Sequence, residues 1–426
     1  MSTARERRKW YHIKWFADQD TKEERRLILK LDALIVPYAF LAYWVKYVDQ
    51  ANINNAYVSG LQADLNLRGN ELVEMQNMYT VGAVVGQIPF AYLFTNFPMS
   101  CVILFLDIMW GVFILLQYRA TSFSEMLACR FFVGWFEAAF FPGMHYIFGA
   151  WYRGDEITRR GGCFYVGLTL GTLTASLIQA GTQQDLMEFM DQQAGGGCTS
   201  FVQLSPSQLE YLDIELSKAR LSRAGPTIKG RWTLRSLVNV LRNWKFWALM
   251  LLDVFFLERQ YATSRLNELG AISPALGFFY TLFICFASDL VLGPAWAITV
   301  AHVWNIIGLI IVVTWDVAES ALWFAFLTTY SAVSMSSVLY GWVNEQLRYS
   351  PVERSITLVV LNTVAQSTTA WTPLLVFKTV EGPRFTKGYS FVLANAICLV
   401  ALAHVIKYFI AHQDKREATQ TASDTS

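Results

Sequence analysis

Apolar stretches long enough to cross a lipid bilayer recur throughout this chain of 426 residues. The hydrocarbon core of a bilayer is about 30 Å thick and takes roughly 20 apolar residues as a helix. Only 16% of the residues are charged, whereas about a quarter are charged in an ordinary soluble domain. The sequence therefore predicts an all-α membrane protein with about 11 transmembrane helices.

Five spans are predicted in the N-terminal half and six in the C-terminal half. The 245–257 span is too short to cross comfortably, and Asp253 interrupts it. Between 182 and 243 no window is apolar enough to insert, so this stretch is predicted to be loop with a polar helix near 206–223. The predicted spans are 31–51, 77–97, 100–118, 123–150, 160–181, 245–257, 274–292, 295–315, 319–342, 354–377 and 388–411.

The positive-inside rule assigns the more basic loops to the cytoplasm. The segment Lys218–Lys245 contains eight Lys or Arg residues and no acid, and the N-terminal tail and the Arg153–Arg160 loop are also basic. All three are expected in the cytoplasm, but five crossings from a cytoplasmic N-terminus would end outside. A sixth crossing is therefore missing before residue 218. Either a span has been lost, by a gene-model error or a genuine truncation, or the central segment lies on the other side.

These signals divide the chain into a cytoplasmic N-terminal tail, a five-helix bundle, a mostly cytoplasmic central loop, a second helical bundle and a disordered cytoplasmic tail. The boundaries are 1–30, 31–181, 182–244, 245–411 and 412–426. About thirty mostly polar residues precede the first apolar run. That run is therefore expected to stay as an anchor rather than to be cleaved as a signal peptide.

Charged residues inside the apolar spans are the first candidates for function. A charge within a membrane helix costs several kcal/mol, so it tends to face a water-filled cavity or a partner. Lys46 and Asp49 lie three residues apart, on one face of a helix. Asp49 is predicted to be a proton-coupling carboxylate facing a central cavity; alternatively it sits at the helix end and only pairs with Lys46. Glu137 lies deep in an apolar run with no basic neighbour in sequence, and it is also predicted to couple protons.

Several longer motifs resemble one transporter family. The run Lys46-Tyr-Val-Asp49-Gln-Ala-Asn52 and its continuation to Gly60 is similar to the first helix of the fungal allantoate permease family, in its pantothenate-transporter branch. This family is an anion:cation symporter family within the major facilitator superfamily. The segments Gly82–Pro89, Arg130–Gly143 and Trp342–Glu345 continue the resemblance.

The resemblance implies two six-helix bundles that bind substrate and proton between them at mid-membrane. Relative to that plan, this chain lacks helix six and has a shortened helix seven. Arg130 and Glu137 are seven residues apart, two helical turns, and the family resemblance implies that the glutamate takes part in proton coupling. Arg130 itself is interpreted as a structural ion pair near the membrane surface.

Further polar residues are candidates for substrate contact. His145 could relay a proton, but a buried structural histidine is an equal alternative. Asn344 and Glu345 could contact substrate or could instead brace the loop from Arg348 to Arg354. Glycines of helices two, four and five are predicted to allow close helix packing. The substrate-binding candidates are Lys46, Asn52, Gln87, His145, Gln179, Asn344 and Glu345.

The sequence contains no Walker GxxxxGK[ST] motif and no HExxH motif, which argues against an ATP-driven pump or an enzyme. The six cysteines are scattered without metal-ligand spacing, so no metal or cofactor is expected. No basic patch indicates nucleic acid. We predict a monomeric, multi-pass plasma-membrane symporter whose partners are the lipid bilayer, protons and a small organic anion such as pantothenate, allantoate or nicotinate. The alternative is a truncated non-transporting or receptor-like relative.

Overall fold

A computed structural model describes residues 15–16, 20–56, 71–181, 211–222, 234–257, 272–376 and 384–424. Within these ranges the chain is helical and has no strand, which confirms the predicted all-α class. The first half contains α1 (Lys22–Ala56), α2 (Glu71–Asn96), α3 (Met99–Tyr118), α4 (Phe123–Glu137), α5 (Phe140–Trp151) and α6 (Gly154–Gly181). The central segment contributes α7 (Tyr211–Ser222) and α8 (Leu234–Arg242). The second half contains α9 (Trp244–Leu257), α10 (Ile272–Ala287), α11 (Pro294–Thr314), α12 (Glu319–Thr329), α13 (Met335–Gln346), α14 (Pro351–Val376) and α15 (Thr386–Asp424).

The helix limits differ from the predicted spans where local chemistry intervenes. Helix α1 begins nine residues before the predicted start because Thr21 and Glu24 form a capping box, in which each side chain accepts the other's backbone N–H. Helix α15 continues to Asp424, over most of the tail predicted to be disordered. The residues after Ala411 include no Gly or Pro and several good helix formers, so nothing stops the helix there.

Two predicted single spans are broken in the structure. The predicted helix 123–150 divides at Ala138 and Ala139 into α4 and α5. Pro142, the third residue of α5, has no N–H to donate to the Ala138 carbonyl, which is the hydrogen bond that an unbroken helix needs there. The predicted helix 319–342 divides in the same way at a 3₁₀ segment, Tyr330–Ser334, between α12 and α13.

Glycines let α2 and α4 approach at backbone distance. A Cβ added at Gly82 or Gly134 would overlap the carbonyl oxygen of Phe131 or Tyr79, respectively, on the facing helix. Gly167 and Gly171 of α6 play the same part against α1. The prediction that these glycines serve helix packing is confirmed.

Apolar side chains form two buried cores and an outer apolar surface. One core lies within the first half and includes Leu31, Tyr43 and Phe164. The other lies mainly within the second half and extends to Phe94 and Leu106 of the first. Large apolar side chains also lie exposed along the outside of the helices, as membrane-spanning helices require. Six of the helices in the described ranges are long and apolar enough to cross a membrane by length and composition.

Helices α1 and α6 run side by side in the same direction. Near their beginnings, the Arg160 guanidinium donates to Asp32 at 2.6 Å and 2.8 Å. Further along both helices, the Trp44 indole N–H donates to Thr174 at 3.1 Å. We call the end of the bundle that contains Asp32 and Arg160 the basic end.

Helix α7 packs at the basic end. Its Asp213 pairs with Lys30 of α1, and its Arg220 pairs with Glu156 at the start of α6. Helix α6 ends 25 residues beyond Glu156 at Gly181, about 38 Å along the helix axis. Gly181 and Tyr211 therefore lie at opposite ends of the bundle, and no helix of the described ranges joins them. The sequence predicts that helix six is absent between these two residues. Residues 182–210 lie outside the described residues, so this absence stays a prediction. So does the shortening of helix seven beyond Leu257.

The two halves contact each other at the basic end. Asp289 follows α10 in a π-helical turn and accepts the backbone N–H of Arg159 at 2.9 Å and its Nε at 3.2 Å. Ser337 of α13 donates to the carbonyl of Gly161 at 2.8 Å. These hydrogen bonds join the two halves at this end.

We expect Gly134→Ala to cost about 1–3 kcal/mol of stability, because the new methyl group meets the Tyr79 backbone, which cannot move aside. Thermal melting of the purified protein measures the change. Gly111→Ala on α3 is the matched control, since a Cβ there meets nothing within 4 Å. Equal melting temperatures for the two variants would show that the close approach of α2 and α4 is not needed.

We expect the basic end to face the cytoplasm, because it carries the excess of Lys and Arg. In a cysteine-free background, Lys218→Cys on the exposed face of α7 should react with an impermeant maleimide only after cells are permeabilised. Arg119→Cys is the control, since it follows α3 at the opposite end and should react in intact cells. The reverse pattern would invert the orientation.

Candidate functional site

A cavity of about 220 Å³ lies between the two halves. Helices α1, α2, α4, α5 and α6 supply one wall, and α9, α13 and α14 supply the other. Its charged lining residues are Lys46, Glu137 and Asp253. The full lining is Tyr43, Lys46, Tyr47, Gln50, Tyr79, Thr80, Ala83, Glu137, Ala138, Phe140, Phe141 and Tyr165 from the first half, with Asp253, Phe256, Ser336, Tyr340, Asn362 and Gln366 from the second.

Glu137 is the last residue of α4, immediately before the break that separates it from α5. The side chain is buried. Its Oε1 accepts a hydrogen bond from Gln50 Nε2 at 2.8 Å, and the same amide nitrogen contacts the Tyr79 hydroxyl at 2.5 Å. Its Oε2 has no hydrogen-bond partner among the described residues. One carboxylate oxygen is therefore held by the protein, and the other is available to a proton or a ligand.

Lys46 also lines the cavity, and its ion-pair partner is not the one considered from sequence. Its Nζ lies 3.1 Å from Asp107 Oδ1 on α3, rather than pairing with Asp49. The ammonium also lies over the rings of Trp110 and Phe140, at 4.0 Å and 4.7 Å from their centroids. Asp107 was not among the candidate residues, although an acid inside the apolar 100–118 span was a usable signal.

Asp107 is held from a second side as well. The Tyr38 hydroxyl donates to its Oδ2 at 2.7 Å. Asp107 itself does not line the cavity, whereas its ion-pair partner Lys46 does.

Asp49 and Arg130 lie near each other and near Glu137. Asp49 is half-buried and does not line the cavity; it interacts electrostatically with Arg130 and Lys46. Arg130 is buried and interacts with both Asp49 and Glu137. No acid in the described parts of the chain comes within 4 Å of it, so the structural ion pair expected for Arg130 stays a prediction.

Among the described lining residues of the second half, Asp253 is the charged one, and from the sequence it was predicted only to interrupt a short span. It is fully buried on α9. The Tyr340 hydroxyl donates to its Oδ2 at 3.0 Å, and its Oδ1 has no partner within the described ranges. The cost of burying a charge, applied to Glu137, could have found Asp253 as well.

Gln87 forms hydrogen bonds between the two halves, next to the cavity. It is fully buried on α2 and does not line the cavity. Its Oε1 accepts from Asn362 Nδ2 and from the Thr363 hydroxyl, both at 3.0 Å, and its Nε2 donates to Gln366 Oε1 at 3.0 Å. All three partners are on α14. The structure thus places Gln87 in an inter-half hydrogen-bond network.

The remaining substrate-binding candidates lie elsewhere. His145 is buried against Phe141 and Tyr340, with Nδ1 3.1 Å from the Phe141 carbonyl. Asn344 lines a separate cavity of about 190 Å³ at the basic end, where Arg354 donates to the Gly149 carbonyl at 2.7 Å. Glu345 lies beside Gly154 at the same end.

Asn344 and Glu345 do not line the central cavity. Their positions fit the alternative in which they brace the loop from Arg348 to Arg354. The side chains of Asn52 and Gln179 lie outside the described residues. In the part of the chain that the structure describes, no group of His, Cys, Asp and Glu is arranged to hold a metal ion.

Comparison with known proteins gives the same architecture. The model of the Major Facilitator Superfamily matches residues 39–182. The vitamin H transporter of Saccharomyces cerevisiae is 32% identical over 456 aligned positions, covering 96% of this chain and 77% of that one. A pantothenate transporter of Schizosaccharomyces pombe is 26% identical, covering 95% and 86%. The alignment with the vitamin H transporter spans 456 positions, more than the 426 residues of this chain. Within the aligned region that relative therefore has residues that this chain lacks.

Solved structures share the fold at low identity. A human organic anion transporter has a TM-score of 0.61 at 13% identity and covers 87% of this chain and 99% of its own. The transporter FucP, solved in the outward conformation, has a TM-score of 0.62 at 13% identity, with the same coverage.

Two helical bundles with a charged cavity between them define a multi-pass membrane carrier. The relative at 32% identity extends over nearly the whole chain. The chain belongs to the major facilitator superfamily, and it is a transporter rather than an enzyme.

We expect Asp107→Asn to lower stability by about 3–5 kcal/mol, because it leaves the Lys46 ammonium buried without its counter-charge. Lys46→Met combined with Asp107→Asn should recover most of that loss, as measured by thermal melting. The exposed pair of Asp316 and Arg384 is the control: Asp316→Asn should change the melting temperature little. A double variant no more stable than Asp107→Asn would show that the ion pair is not what the single variant breaks.

Proposed function

We propose that this protein is a proton-coupled symporter of a small organic anion, and that the anion is a vitamin carboxylate with biotin and pantothenate as the first candidates. The proposal rests on the charge balance of the central cavity. Lys46 and Arg130 are the basic groups in and next to it, and they face four acids: Asp49, Asp107, Glu137 and Asp253.

An organic anion that enters this site adds a further negative charge to an excess of acids. Desolvated charges of like sign are costly inside a membrane protein. Protons bound to one or more of the acids would remove that cost, so anion binding and proton binding would favour each other. This reciprocity is the thermodynamic requirement of symport.

Lys46 is the basic side chain that lines the cavity, so it is the proposed contact for the substrate carboxylate. The anion would share or replace Asp107 as its partner. Tyr43, Phe140 and Phe256 offer aromatic surface to the apolar part of a vitamin. Tyrosine hydroxyls and the amides of Asn362 and Gln366 offer hydrogen bonds to its polar groups. The smaller anions allantoate and nicotinate share the carboxylate and stay within the proposed class.

Glu137 is the proposed proton-coupling group, with Asp49 as the second candidate. Protonation neutralises a buried charge beside the break between α4 and α5, and it removes the attraction to Lys46 and Arg130. The two halves would then rock against each other about the fixed site, which alternates its access between the two sides of the membrane. We further propose a monomer in the plasma membrane with its N-terminus in the cytoplasm.

One observation favours a second candidate function, a non-transporting relative. The alignment with the vitamin H transporter spans 456 positions, more than the 426 residues of this chain, so this chain lacks residues that the relative has, and a bundle lacking one helix would leave apolar faces of its neighbours uncovered. Against this stands the similarity to named transporters over 96% of the chain. We therefore favour the carrier.

The deciding experiment uses purified protein in liposomes that are acidic outside and neutral inside, with radiolabelled biotin and pantothenate added outside. Accumulation of either vitamin that collapses when a protonophore is added would support the symporter. Vitamin binding without any accumulation would favour the non-transporting relative. Vitamin exchange that ignores the proton gradient would leave a carrier without proton coupling.

We expect Glu137→Gln to remove the proton-driven accumulation that Glu137 couples while leaving vitamin exchange between the two sides in place, because glutamine keeps the shape and fixes the neutral state. One coupled proton sustains about a tenfold concentration ratio per pH unit, and the variant should lose at least this factor. Glu319→Gln, an exposed glutamate at the start of α12, is the matched control. Accumulation unchanged in Glu137→Gln would transfer the proposed role to Asp49.

A further inference from the structure

Asp253 stands on the opposite wall of the cavity from Glu137, and the proposed mechanism assigns it no proton of its own. It is a fully buried carboxylate. One oxygen accepts the Tyr340 hydroxyl, and the other has no hydrogen-bond partner in the described structure. No Lys or Arg of the described ranges lies within 4 Å of it. A carboxylate in this position is unstable as an anion, and a proton is the smallest ligand that can remove its charge.

The neighbouring elements supply no compensating charge. Helix α14 presents the neutral amides of Asn362 and Gln366, and its own charges, Glu353 and Arg354, lie in its first turn at the basic end. Helix α15 has His404 bound to Thr299 and Lys407 placed over Trp296, both directed at α11. Arg235 and Arg242 of α8 are exposed. The titratable groups across the cavity are Lys46, Glu137, Tyr43, Tyr47, Tyr79 and Tyr165.

The hydroxyl that contacts Asp253 has a second acceptor within reach. Tyr340 lies 3.0 Å from Asp253 Oδ2 and 3.4 Å from Asn362 Oδ1. A tyrosine hydroxyl has one proton to donate, so it serves one of the two acceptors at a time. An ionised carboxylate is the stronger acceptor, so the Tyr340 hydroxyl then donates its hydrogen bond to Asp253. A protonated Asp253 competes less well, and the Tyr340 hydroxyl is then free to donate to Asn362.

Asn362 carries this change to the other half of the protein. Its Nδ2 donates to Gln87 Oε1 at 3.0 Å, and Gln87 in turn donates to Gln366 at 3.0 Å. Polar contacts therefore connect the Asp253 carboxylate on α9, through the shared Tyr340 hydroxyl and Asn362, to Gln87 on α2. The protonation state of Asp253 thus bears directly on contacts that hold the two halves together.

We infer that Asp253 is a second proton-binding site of the transport cycle, and that its protonation switches the Tyr340 hydroxyl between Asp253 and Asn362 and so adjusts the inter-half contact at Gln87. This inference rests on the proposed proton-coupled transport. It adds a second coupled proton, carried by the second half, to the one assigned to Glu137.

The number of coupled protons is measurable as a slope. With the membrane potential held at zero, the steady-state accumulation ratio of an anion rises about tenfold per pH unit for each coupled proton. Purified protein in liposomes is tested with whichever of radiolabelled biotin or pantothenate the wild-type protein accumulates. We expect about a hundredfold rise per pH unit for the wild-type protein and about tenfold for Asp253→Asn.

Three further variants separate the possible outcomes. Asp253→Glu keeps a carboxylate and should retain most of the wild-type slope. Tyr340→Phe keeps the carboxylate and removes the switching hydroxyl, so it should keep the slope but change the rate of vitamin exchange. Asp316→Asn, an exposed aspartate, is the control and should match the wild-type protein. Equal slopes for the wild-type protein and Asp253→Asn would overturn the inference while leaving the proposed symport intact. A wild-type slope of zero would overturn the proposed function instead.

A second measurement does not depend on transport. Infrared difference spectra of the purified protein between acidic and neutral pH should contain a protonated-carboxyl band that is missing in Asp253→Asn. Spectra of the two proteins that show the same carboxyl bands would mean that Asp253 does not bind a proton in this range, and the inference would then fail even for a chain that does not transport.

Discussion

The cost of placing charge in a low-dielectric membrane interior governs this structure more than any other interaction. Side chains that would be ordinary on a soluble surface are buried here among the helices and have polar partners. Lys46 Nζ lies 3.1 Å from Asp107 Oδ1, and Glu137 Oε1 accepts a hydrogen bond from Gln50 at 2.8 Å. The outer faces of the helices are correspondingly apolar. Because charged groups cannot turn toward lipid, they gather in and next to the cavity. The lining contains two acids and one base, and an excess of acids favours the binding of protons.

Close helix packing makes this cavity possible. The glycines of α2 and α4 bring their backbones into contact, which fixes Tyr79 and Glu137 on one wall. The Pro142 region then breaks the helix directly after Glu137, so that this carboxylate stands at a helix end rather than in the middle of a continuous span. Gln87 and its amide and hydroxyl partners on α14 connect this wall to the other half. Hydrogen bonds of this kind exchange partners at modest cost, as a moving carrier needs.

Much of the fold could be predicted because apolar length is a strong signal. The predicted 100–118 and 295–315 spans agree with α3 and α11 to within a residue at each end. Capping and proline effects are local and were weaker signals, so the early start of α1 and the break after Glu137 were not predicted. The cost of burying a charge could have selected Asp107 and Asp253 from the sequence, but it could not have identified their partners: Lys46 is 61 residues from Asp107, and Tyr340 is 87 from Asp253.

The sequence by itself determined the class of the protein, its apolar helices and most of the residues that can bear charge, because each of these depends on composition over a single span. It also singled out Glu137, which the structure places in the cavity lining. Only the tertiary structure decided which polar groups meet. It pairs Lys46 with Asp107 rather than Asp49, hydrogen-bonds Gln87 to α14 and places Asn344 in the cavity at the basic end. The physical reason is that helix rotation and tilt are set by packing against neighbours, and a helix's own periodicity leaves the identity of those neighbours open.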